Sequence, residues 1–396
     1  MGSQLRAGIA FSVLMATSSL MALIFTVPAP VLYAIGEERG AWIAQGMSNA
    51  ASLAIILGGP LAGWLNRRWN TRSLLLPSLL VYGIVGPLVL VIRSSYLLLA
   101  SRFVLGFCAA VAVSASIAMI SARYTGTQRL RLLGYQGGIA SVAGLATLWI
   151  AGGMASSGGW RAPFILYGLG AVLFALAAPT LRNNVEPPAM PSAECDPDPG
   201  AWRTLAPLWA FYLAVILLFG ASFSTGLQLS FKLGEHGIVD PAAQRNVILF
   251  GSFMNAVGSG VYGLVVARLG ARLTFVAGIA ALAGGALLIG SAATAVPIGA
   301  GAALMGTGGG LLGPSLIGRL VDRVSDSERA GAVGLFYSCI FIGEFLNPLF
   351  MQPVRGAYGS DVAFLALGGL LLIGVLWANV ASRSWSAGNP AALAPP

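Results

Sequence analysis

The stretch Gly63-Trp-Leu-Asn-Arg67-Arg68-Trp-Asn70-Thr-Arg72 is a short basic turn between two apolar runs, residues 42–64 and 73–92. A similar turn lies 200 positions later, at Gly263-Leu-Val-Val-Ala267-Arg268-Leu-Gly270-Ala-Arg272. Chance would align about one arginine or fewer at this offset. Four arginines coincide: Arg68 with Arg268, Arg72 with Arg272, Arg123 with Arg323, and Arg129 with Arg329. The chain therefore consists of two similar halves in tandem.

The composition indicates a membrane protein. Of the 396 residues, 57% are hydrophobic and 9% are charged, whereas soluble domains carry about 25% charged residues. The apolar runs are long and continuous rather than alternating, and about 20 apolar residues in helical form cross a bilayer. Because lipid offers no hydrogen-bond partner to the backbone, such runs must be helices.

Twelve such spans are predicted, which gives an all-α membrane protein with two pseudo-symmetric six-helix bundles. We number them span 1 to span 12, at residues 9–34, 42–64, 73–92, 96–121, 132–154, 162–181, 205–230, 243–266, 273–292, 295–318, 330–353 and 361–381. Residues 1–181 form the first bundle and residues 205–396 the second, with a short disordered tail. Residues 182–204 are polar and rich in proline, which is typical of a flexible linker.

The distribution of basic residues predicts the orientation. Fifteen of the 22 lysines and arginines lie at one end of the spans and six at the other, with Arg102 inside a span. We call these two sides the basic face and the opposite face. Since basic loops stay in the cytoplasm, both termini and the linker are predicted to be cytoplasmic, in a cell inner membrane. The net charge of +9 is spread over short loops, so nucleic acid is not an expected partner.

The repeated basic turn resembles the Gly-x-x-x-Asp-Arg/Lys-x-Gly-x-Arg/Lys motif of the major facilitator superfamily. The gating-loop residues that match are Gly63, Arg68, Arg72, Gly263, Arg268, Gly270 and Arg272. Asn70 stands where the family has glycine, and we expect it to adopt the left-handed backbone that asparagine tolerates. The acid of the motif is replaced by Arg67 and by Ala267. The resemblance implies the family's fold and a transporter that works by alternating access.

Other stretches extend the resemblance over most of the chain. Arg102-Phe-Val-Leu-Gly106 resembles a fourth-helix motif of proton-coupled members, and Gly159-Trp160-Arg161 is common before the sixth helix. The segment from Glu328 through Tyr337 resembles the start of the family's eleventh helix. Leu148-Trp149-Ile-Ala-Gly152-Gly153 is a degraded form of the antiporter motif Gly-Pro-x-x-Gly-Gly. The chain thus resembles the drug:proton antiporter-like branch, with a motif that has lost its Gly-Pro pair.

Glu344 is the one acid inside a predicted span, and it is the best candidate for proton coupling. A carboxylate in hydrocarbon is costly, so an acid there is a functional candidate, and burial favours its protonated form. Tyr337, Glu344 and Asn347 share one face of span 11 by helical spacing. The alternative role is that of a neutral acid bonded to a neighbouring helix.

Arg102 is the second candidate for proton coupling. By resemblance it assists proton transfer or binds an anionic group. As an alternative, its side chain extends to the membrane surface or ties helix ends together. Whether Arg102 pairs with Glu344 is left open by the sequence.

Seven polar residues in or near the spans are candidates for lining a central substrate cavity. They are Tyr33, Gln45, Asn49, Gln136, Gln228, Asn255 and Asn347. The alternative for each is a hydrogen bond between helices, worth about 0.6 kcal/mol. Prolines within the spans, which often border a cavity, occur at Pro28, Pro30, Pro87, Pro314 and Pro348.

No cofactor, metal or nucleotide is predicted. His236 is expected to be solvated in a loop, with no second metal ligand near it, and Gly308-Gly-Gly310 lies within a span without the lysine of a phosphate loop. No catalytic cluster is seen, so an enzyme is not expected. We predict a monomeric secondary active transporter of a small organic solute, coupled to protons, with efflux favoured. An uncoupled facilitator and a non-transporting membrane sensor are the alternatives.

Overall fold

A computed structural model of the chain describes residues 3–124, 126–181, 208–324 and 329–386, and the regular structure in these ranges is helical. The predicted linker, residues 182–204, and the tail from residue 387 onward lie outside the described residues.

The helices follow the predicted spans in order. Span 1 contains Ser3–Ala16, Ser19–Thr26, a 3-10 turn at Ala29–Val31, and Leu32–Arg39; span 2 is Ala41–Arg68; span 3 is Thr71–Val85 with a 3-10 turn at Pro87–Leu90; span 4 is Ser95–Arg123; span 5 is Gly126–Gly158; span 6 is a 3-10 turn at Ala162–Gly168 and Leu169–Thr180; span 7 contains Trp209–Ser222, Ser224–Leu227 and Leu229–Glu235; spans 8 and 9 are Pro241–Ser291; span 10 is Ala295–Val321; spans 11 and 12 are Arg329–Ser386.

The number of membrane crossings agrees with the prediction. Ten stretches within the described residues are long and apolar enough to cross a membrane. Two of them contain a break where a glycine has positive φ, Gly270 at 78° and Gly359 at 84°. Glycine adopts this conformation without the steric cost that a Cβ would bring. Dividing the two stretches at these glycines gives twelve crossings, and the fold is that of two six-helix bundles.

The first span of each half is broken at matching positions. The helix Ser19–Thr26 ends just before Pro28, and the next turn begins at Ala29. The helix Ser224–Leu227 ends just before Gln228, which lies 200 positions after Pro28. Proline lacks the N–H that a continuing helix needs, whereas Gln228 makes side-chain contacts described below. The tandem repeat seen in the sequence therefore extends to an irregularity of the backbone.

Each bundle has a buried apolar core of its own. Leu20, Leu79, Tyr82, Leu105 and Phe164 belong to the first core, and Val215, Leu282, Met305, Phe336 and Phe364 to the second. In the second bundle, glycines let helix backbones touch, as small residues do in membranes.

Span 10 shows the closest of these approaches. A Cβ placed on Gly308 would lie 2.6 Å from the carbonyl oxygen of Gly278 in span 9, and one on Gly310 would overlap the carbonyl of Asn255 in span 8. Gly306 likewise lies directly on Gly251 of span 8. Span 10 therefore packs against spans 8 and 9 along bare backbone.

The two bundles meet towards the opposite face. There the ring of Tyr33 in span 1 occupies the space beside Gly234 of span 7, and the ring of Phe231 lies against Gly36. Towards the basic face, a Cβ added to any of several glycines of spans 2, 5, 8 and 11 would meet no atom within 4 Å: Gly63, Gly134, Gly137, Gly138, Gly260, Gly263 and Gly334. In the part of the chain that is described, these contacts between the halves lie towards the opposite face, and the glycines named on the basic side have no such neighbour.

Candidate functional site

Glu344 lies in the middle of span 11, at the interface between the bundles. Glu344 is 1% exposed, and neither of its carboxyl oxygens has a hydrogen-bond partner among the described residues. The backbone at Gly343 packs on Gly220 of span 7, where an added Cβ would lie 3.0 Å from the Gly343 carbonyl oxygen. The carboxyl approaches Ser52 of span 2, but the Ser52 hydroxyl donates to the Ser48 carbonyl at 3.0 Å. An unpartnered buried carboxyl is far less costly with its proton than without it.

Three amide side chains form a relay that starts next to Glu344 and crosses from span 11 to span 2. Asn347 Nδ2 donates to the Gly220 carbonyl at 2.8 Å and to Ser224 Oγ at 2.7 Å. Gln228 Nε2 donates to Asn347 Oδ1 at 3.0 Å, and Gln45 Nε2 donates to Gln228 Oε1 at 3.0 Å. Gln228 can reach both partners because it lies at the break in span 7. The relay therefore joins the two bundles through three of the predicted cavity residues.

The backbone carbonyl at the start of the relay fixes the orientation of every amide in it. A carbonyl only accepts hydrogen bonds, so Asn347 must present its NH₂ group to Gly220 and its oxygen to Gln228. Gln228 then turns its NH₂ to Asn347 and its oxygen to Gln45, and Gln45 must donate in turn. This leaves Gln45 Oε1 without a partner, buried in a residue that is 2% exposed. The relay thus ends in a free acceptor on span 2.

The same side of span 2 carries further polar groups. Gln45, Asn49 and Ser52 are spaced by four and three residues, so they follow one another along one helical face. Asn49 Oδ1 is also buried without a partner. The unpartnered acceptors of Gln45, Asn49 and Glu344 lie along facing stretches of spans 2 and 11, and each of these stretches is about 10 Å long or less at 1.5 Å per residue.

Aromatic side chains adjoin this polar group on the side of the basic face. Phe341, one turn before Glu344, stacks on Phe25 of span 1 with ring centroids 6.3 Å apart. Tyr337, one turn before Phe341 and nearer the basic face, is 52% exposed. The predicted shared face of Tyr337, Glu344 and Asn347 therefore runs from an exposed end at Tyr337 to a buried end at Asn347.

Arg102 lies inside the first bundle and is fully buried. Its guanidinium donates to the Tyr167 hydroxyl at 2.6 Å and to the Ile24 carbonyl at 2.7 Å. It also lies over the rings of Tyr167 and Phe164, 5.0 and 5.6 Å from the centroids. These contacts tie span 4 to spans 1 and 6, and no ion pair with Glu344 is present in the described part of the chain. Its role in proton coupling stays a prediction.

The other three predicted cavity residues occupy different places. Gln136 donates to the Leu14 carbonyl and the Ser116 hydroxyl, both at 2.9 Å, inside the first bundle. Tyr33 lies in the closure of the opposite face, and its backbone N–H donates to Ser230 of span 7 at 3.1 Å. Asn255 is half-buried in span 8, where its amide lies beside Gly309 of span 10. The structure brings Gln45, Asn49, Gln228 and Asn347 together with Glu344, and it separates Gln136 and Tyr33 from them.

The predicted gating loops lie at the basic face, and the two copies differ in backbone. Gly270 has the left-handed conformation expected of the motif glycine, but Asn70 has a φ of −60°, so the expectation for Asn70 is wrong. Asn70 instead caps span 3, its side chain accepting from the Arg72 N–H at 3.0 Å. A capping side chain is a second way in which asparagine starts a helix after a tight turn. The Arg72 guanidinium donates to the Ala178 carbonyl of span 6 at 2.9 Å.

The remaining residues of these loops differ in how far they are in contact with other groups. The Arg68 guanidinium lies 4.6 Å from the ring centroid of Trp64, and Arg268 is exposed. Gly63 and Gly263 face open space. Arg272, like Arg72, makes an interaction. The gating role of these loops stays a prediction.

A second contact between the bundles, at spans 5 and 8, was not predicted from the sequence. The guanidinium of Arg245 donates to the Trp149 carbonyl at 2.9 Å and lies 5.4 Å from the Trp149 ring centroid. A Cβ on Gly152 would overlap the side chain of Arg245. The degraded antiporter segment is thus the surface on which Arg245 docks. The signal in the sequence was the pair Gly152-Gly153, whose missing side chains leave the space that Arg245 fills.

Asp240 strengthens the same contact from outside the membrane. Its carboxylate caps span 8 by accepting from the N–H groups of Ala242 and Ala243, both at 3.2 Å. Ser156 of span 5 donates to it at 2.7 Å. That hydrogen bond, with the two backbone N–H groups and nearby Arg245, holds the pKa of Asp240 below its ordinary value, against the smaller opposing effect of burial. The pKa is lowered because each of these contacts favours the charged carboxylate over the neutral acid.

His236 is not simply solvated, which corrects the expectation from the sequence. Its Nε2 lies 3.0 Å from Lys232 Nζ and 2.8 Å from an oxygen of Asp361, and Lys232 also pairs with Asp361. The fold places these groups together because span 7 ends beside the start of span 12. Sequence spacing did not show this, since Asp361 is 125 residues away from His236. Among the described residues, no group of three or more His, Cys, Asp or Glu side chains is arranged to hold a metal ion.

Comparisons with known proteins show what the chain is similar to. The family model described as Major Facilitator Superfamily matches residues 9–243. The nucleoside transporter NupG superposes with a TM-score of 0.77 at 13% identity, over 96% of this chain and 99% of that one. A bacterial homolog of the human lysosomal transporter Spinster, in an inward-facing and unoccupied conformation, gives 0.76 at 16% identity, over 98% and 100%. No curated protein sequence gives a significant match.

A third similar structure is the human organic anion transporter MFSD10. It superposes with a TM-score of 0.66 at 18% identity, over 93% of this chain and 99% of that one. Each of the three superpositions covers almost the whole of the compared chain, so the likeness concerns the complete helical fold.

Proposed function

This chain belongs to the major facilitator superfamily, whose model matches more than half of it, and we propose that it is a proton-coupled secondary transporter of a small organic solute. Membership of this family and the similar structures make it a membrane transporter rather than an enzyme. The proposal concerns what the fold leaves undecided, namely the coupling ion, the direction and the solute, because one fold hosts many functions.

The observation that carries the proposal is the unpartnered carboxyl of Glu344 at the seam between the bundles. Closure of the opposite face buries this group between spans 2 and 11. Because an unpaired carboxylate is strongly disfavoured there, closure favours the protonated acid. When the bundles part at the opposite face, water reaches the group and the charged form is tolerated. Proton binding and the choice between the two conformations are thereby linked, since a ligand shifts an equilibrium by its different affinity for the two states.

The rest of the proposed mechanism follows the distribution of contacts between the bundles. The halves rock about the seam, and the solute reaches the polar group of Gln45, Asn49, Gln228, Asn347 and Glu344 from one side at a time. We take the basic face as the open side, because Gly63, Gly263 and Gly334 meet no atom within 4 Å there. If that face is cytoplasmic, as the arginine distribution indicates, this is the inward-facing conformation.

Several further statements belong to the proposal. The protein is a monomer in a cell inner membrane with both termini in the cytoplasm. Residues 1–181 and 205–396 are the two bundles, and residues 182–204 are the cytoplasmic linker between them. We favour efflux and the drug:proton antiporter-like branch, since Arg102 and Gly106 retain a proton-coupling motif. Arg102 would then support coupling from within the first bundle, and the loops around Arg68 and Arg268 would gate the basic face.

Transport in proteoliposomes tests the proposal. A thermal-shift screen of the purified chain against small organic compounds supplies the solute, because a bound ligand stabilises the protein. An imposed pH gradient is then expected to drive accumulation of that solute, and Glu344→Gln is expected to reduce accumulation at least tenfold (about 1.4 kcal/mol of coupling or more). Asp322→Asn, which removes an exposed carboxyl at the basic face, is the matched control and should transport normally.

The degraded antiporter segment supports one rival, an uncoupled facilitator. In that case the solute would equilibrate across the membrane without accumulating, and Glu344→Gln would transport as well as the unaltered chain. A non-transporting sensor would bind a compound in the thermal-shift screen and show neither accumulation nor equilibration.

A further inference from the structure

In the polar group at the seam, the buried atoms that lack a hydrogen-bond partner are all oxygens. The NH₂ groups of Gln45, Gln228 and Asn347 all donate within the relay. The atoms left without a partner are Gln45 Oε1, Asn49 Oδ1 and both oxygens of Glu344. A buried polar atom without a partner is costly, so this group is built to be completed by a ligand that donates hydrogen bonds.

The charges around the group indicate the sign of that ligand. Ser52 of span 2 approaches Glu344, Gly220 of span 7 packs on the adjacent Gly343, and Phe25 of span 1 stacks on Phe341 one turn away; none of these three partners is charged. The described region has three buried basic side chains. Arg102 is bound to Tyr167 and Ile24, Lys232 is paired with Asp361, and Arg355, about 16 Å further along span 11 at 1.5 Å per residue, lies over the Phe231 ring at 3.7 Å. Among the described residues, no cation is therefore seen against the group to balance an anionic solute, while Glu344 supplies a negative charge when it loses its proton.

We propose that the seam site takes the ammonium head of a primary organic amine, with its three N–H groups donating to Gln45, Asn49 and Glu344. This inference rests on the proposed function, in which the same site holds the transported solute, and it adds the chemical class of that solute. The stacked rings of Phe25 and Phe341 and the exposed ring of Tyr337 lie on the side of the basic face. They provide an apolar wall for an arylalkyl body, since aromatic rings also attract a nearby cation.

Binding of the amine would displace the proton from Glu344. The neutral acid gives up its proton to water, the resulting carboxylate accepts from the ammonium, and one positive charge replaces another. No covalent bond is formed or broken other than that O–H bond. A quaternary ammonium has the same charge but no N–H to donate, so it leaves the acceptor oxygens of Gln45, Asn49 and Glu344 without a hydrogen bond.

Four compounds with one common body separate these requirements. Phenethylamine, N,N,N-trimethylphenethylammonium, phenethyl alcohol and 3-phenylpropanoate are titrated into the purified full-length chain, and affinity is measured from the change in thermal stability. The released protons are measured in weak buffer with a pH indicator. We expect phenethylamine to bind at least tenfold more tightly than the other three, and to release about one proton per chain near neutral pH.

Variants of the chain test which atoms are responsible. Glu344→Gln should abolish proton release and weaken amine binding at least tenfold, and Gln45→Ala should weaken binding severalfold while keeping proton release. Asp322→Asn should change neither. Equal binding of the quaternary compound, tighter binding of the carboxylate, or unchanged affinity in Glu344→Gln would each overturn the inference. So would the failure of phenethylamine, benzylamine and butylamine all to bind.

The outcomes distinguish this inference from the proposed function. Amine binding with proton release, but no accumulation under a pH gradient, would sink the proposal of coupled transport and leave the amine site standing. Gradient-driven accumulation of an anion or a neutral compound, lost in Glu344→Gln, would support coupled transport and overturn the amine site.

Discussion

Two buried ionisable side chains lie in this membrane protein under opposite conditions. Arg102, in the interior of the first bundle, has donors bound to Tyr167 and to the Ile24 carbonyl and aromatic rings around it. Glu344, at the seam between the bundles, has no hydrogen-bond partner among the described residues. Arg102 keeps one unpartnered atom, its Nε, but its contacts lie within one bundle and stay the same when that bundle moves as a rigid body. An unsatisfied group at a moving seam changes its surroundings with each conformation, so it can link protons to movement.

The largest expected effect on stability comes from removing the guanidinium of Arg102. Arg102→Met removes the hydrogen bonds that the guanidinium donates to the Tyr167 hydroxyl and the Ile24 carbonyl, and two hydrogen bonds from a charged donor are worth about 3 kcal/mol together. Denaturant titration of the purified protein in detergent should show this loss of unfolding free energy. Arg131→Met, at an exposed arginine, is the control. A cost below about 1 kcal/mol would mean that the interior of the first bundle does not depend on Arg102.

A second prediction weakens the seam itself. Gly152→Val places a branched side chain where the Arg245 side chain packs, so the opposite face should spend more time open. Gly153→Val is the neighbouring control, because a Cβ there meets only the flexible tip of Arg245, at 3.2 Å. Spin labels at Tyr96 and Val296, both exposed at the opposite face and one in each bundle, should report a longer distance in Gly152→Val alone. Equal distances in both variants would count against this contact as a closure.

The third prediction reverses the expectation for Arg102. Glu344→Leu removes a buried carboxyl that has no partner, so the unfolding free energy should stay the same or rise by about 1 kcal/mol. Transport should nevertheless be lost. The same denaturant titration and the proteoliposome assay provide the two readouts. A large loss of stability would show that Glu344 has a structural partner and would remove the contrast with Arg102.

The smallest effect is expected from Asp240, which is exposed. Its pKa is depressed in the closed arrangement, so its stabilisation of the closure is fully present above the ordinary pKa of 3.8. It is lost as the pH falls further, through the depressed value. The distance between labels at Tyr96 and Val296 should therefore increase slightly below that pH, and Asp240→Asn should remove this pH dependence. Screening by solvent keeps the effect small.

The sequence predicted the elements better than the contacts between them. Apolar runs and the arginines repeated at a distance of 200 residues located twelve spans, because helix formation in lipid depends on local composition. Glu344 was identified for the same reason, as an acid inside an apolar run. The surroundings of Arg102 and of His236 could not be read in this way, since Tyr167 and Asp361 reach them only through packing of distant spans. Asn70 was misjudged because two local conformations suit asparagine at a turn.

The relay shows a further limit. Gln45, Gln228 and Asn347 were candidates individually, but nothing in their spacing showed that a carbonyl at Gly220 orients all three. The direction of that chain, and hence the free acceptor at its end, exists only in three dimensions.

The glycine contacts of span 10 make part of the second bundle rigid. Where Gly306, Gly308 and Gly310 lie against the carbonyls of spans 8 and 9, there are no side chains whose rotamers could change to absorb a displacement. Spans 8, 9 and 10 should therefore move together as one rigid body. A displacement at Arg245, where span 8 contacts span 5, would then be transmitted through all three helices, and the bending needed for a conformational change must occur outside them.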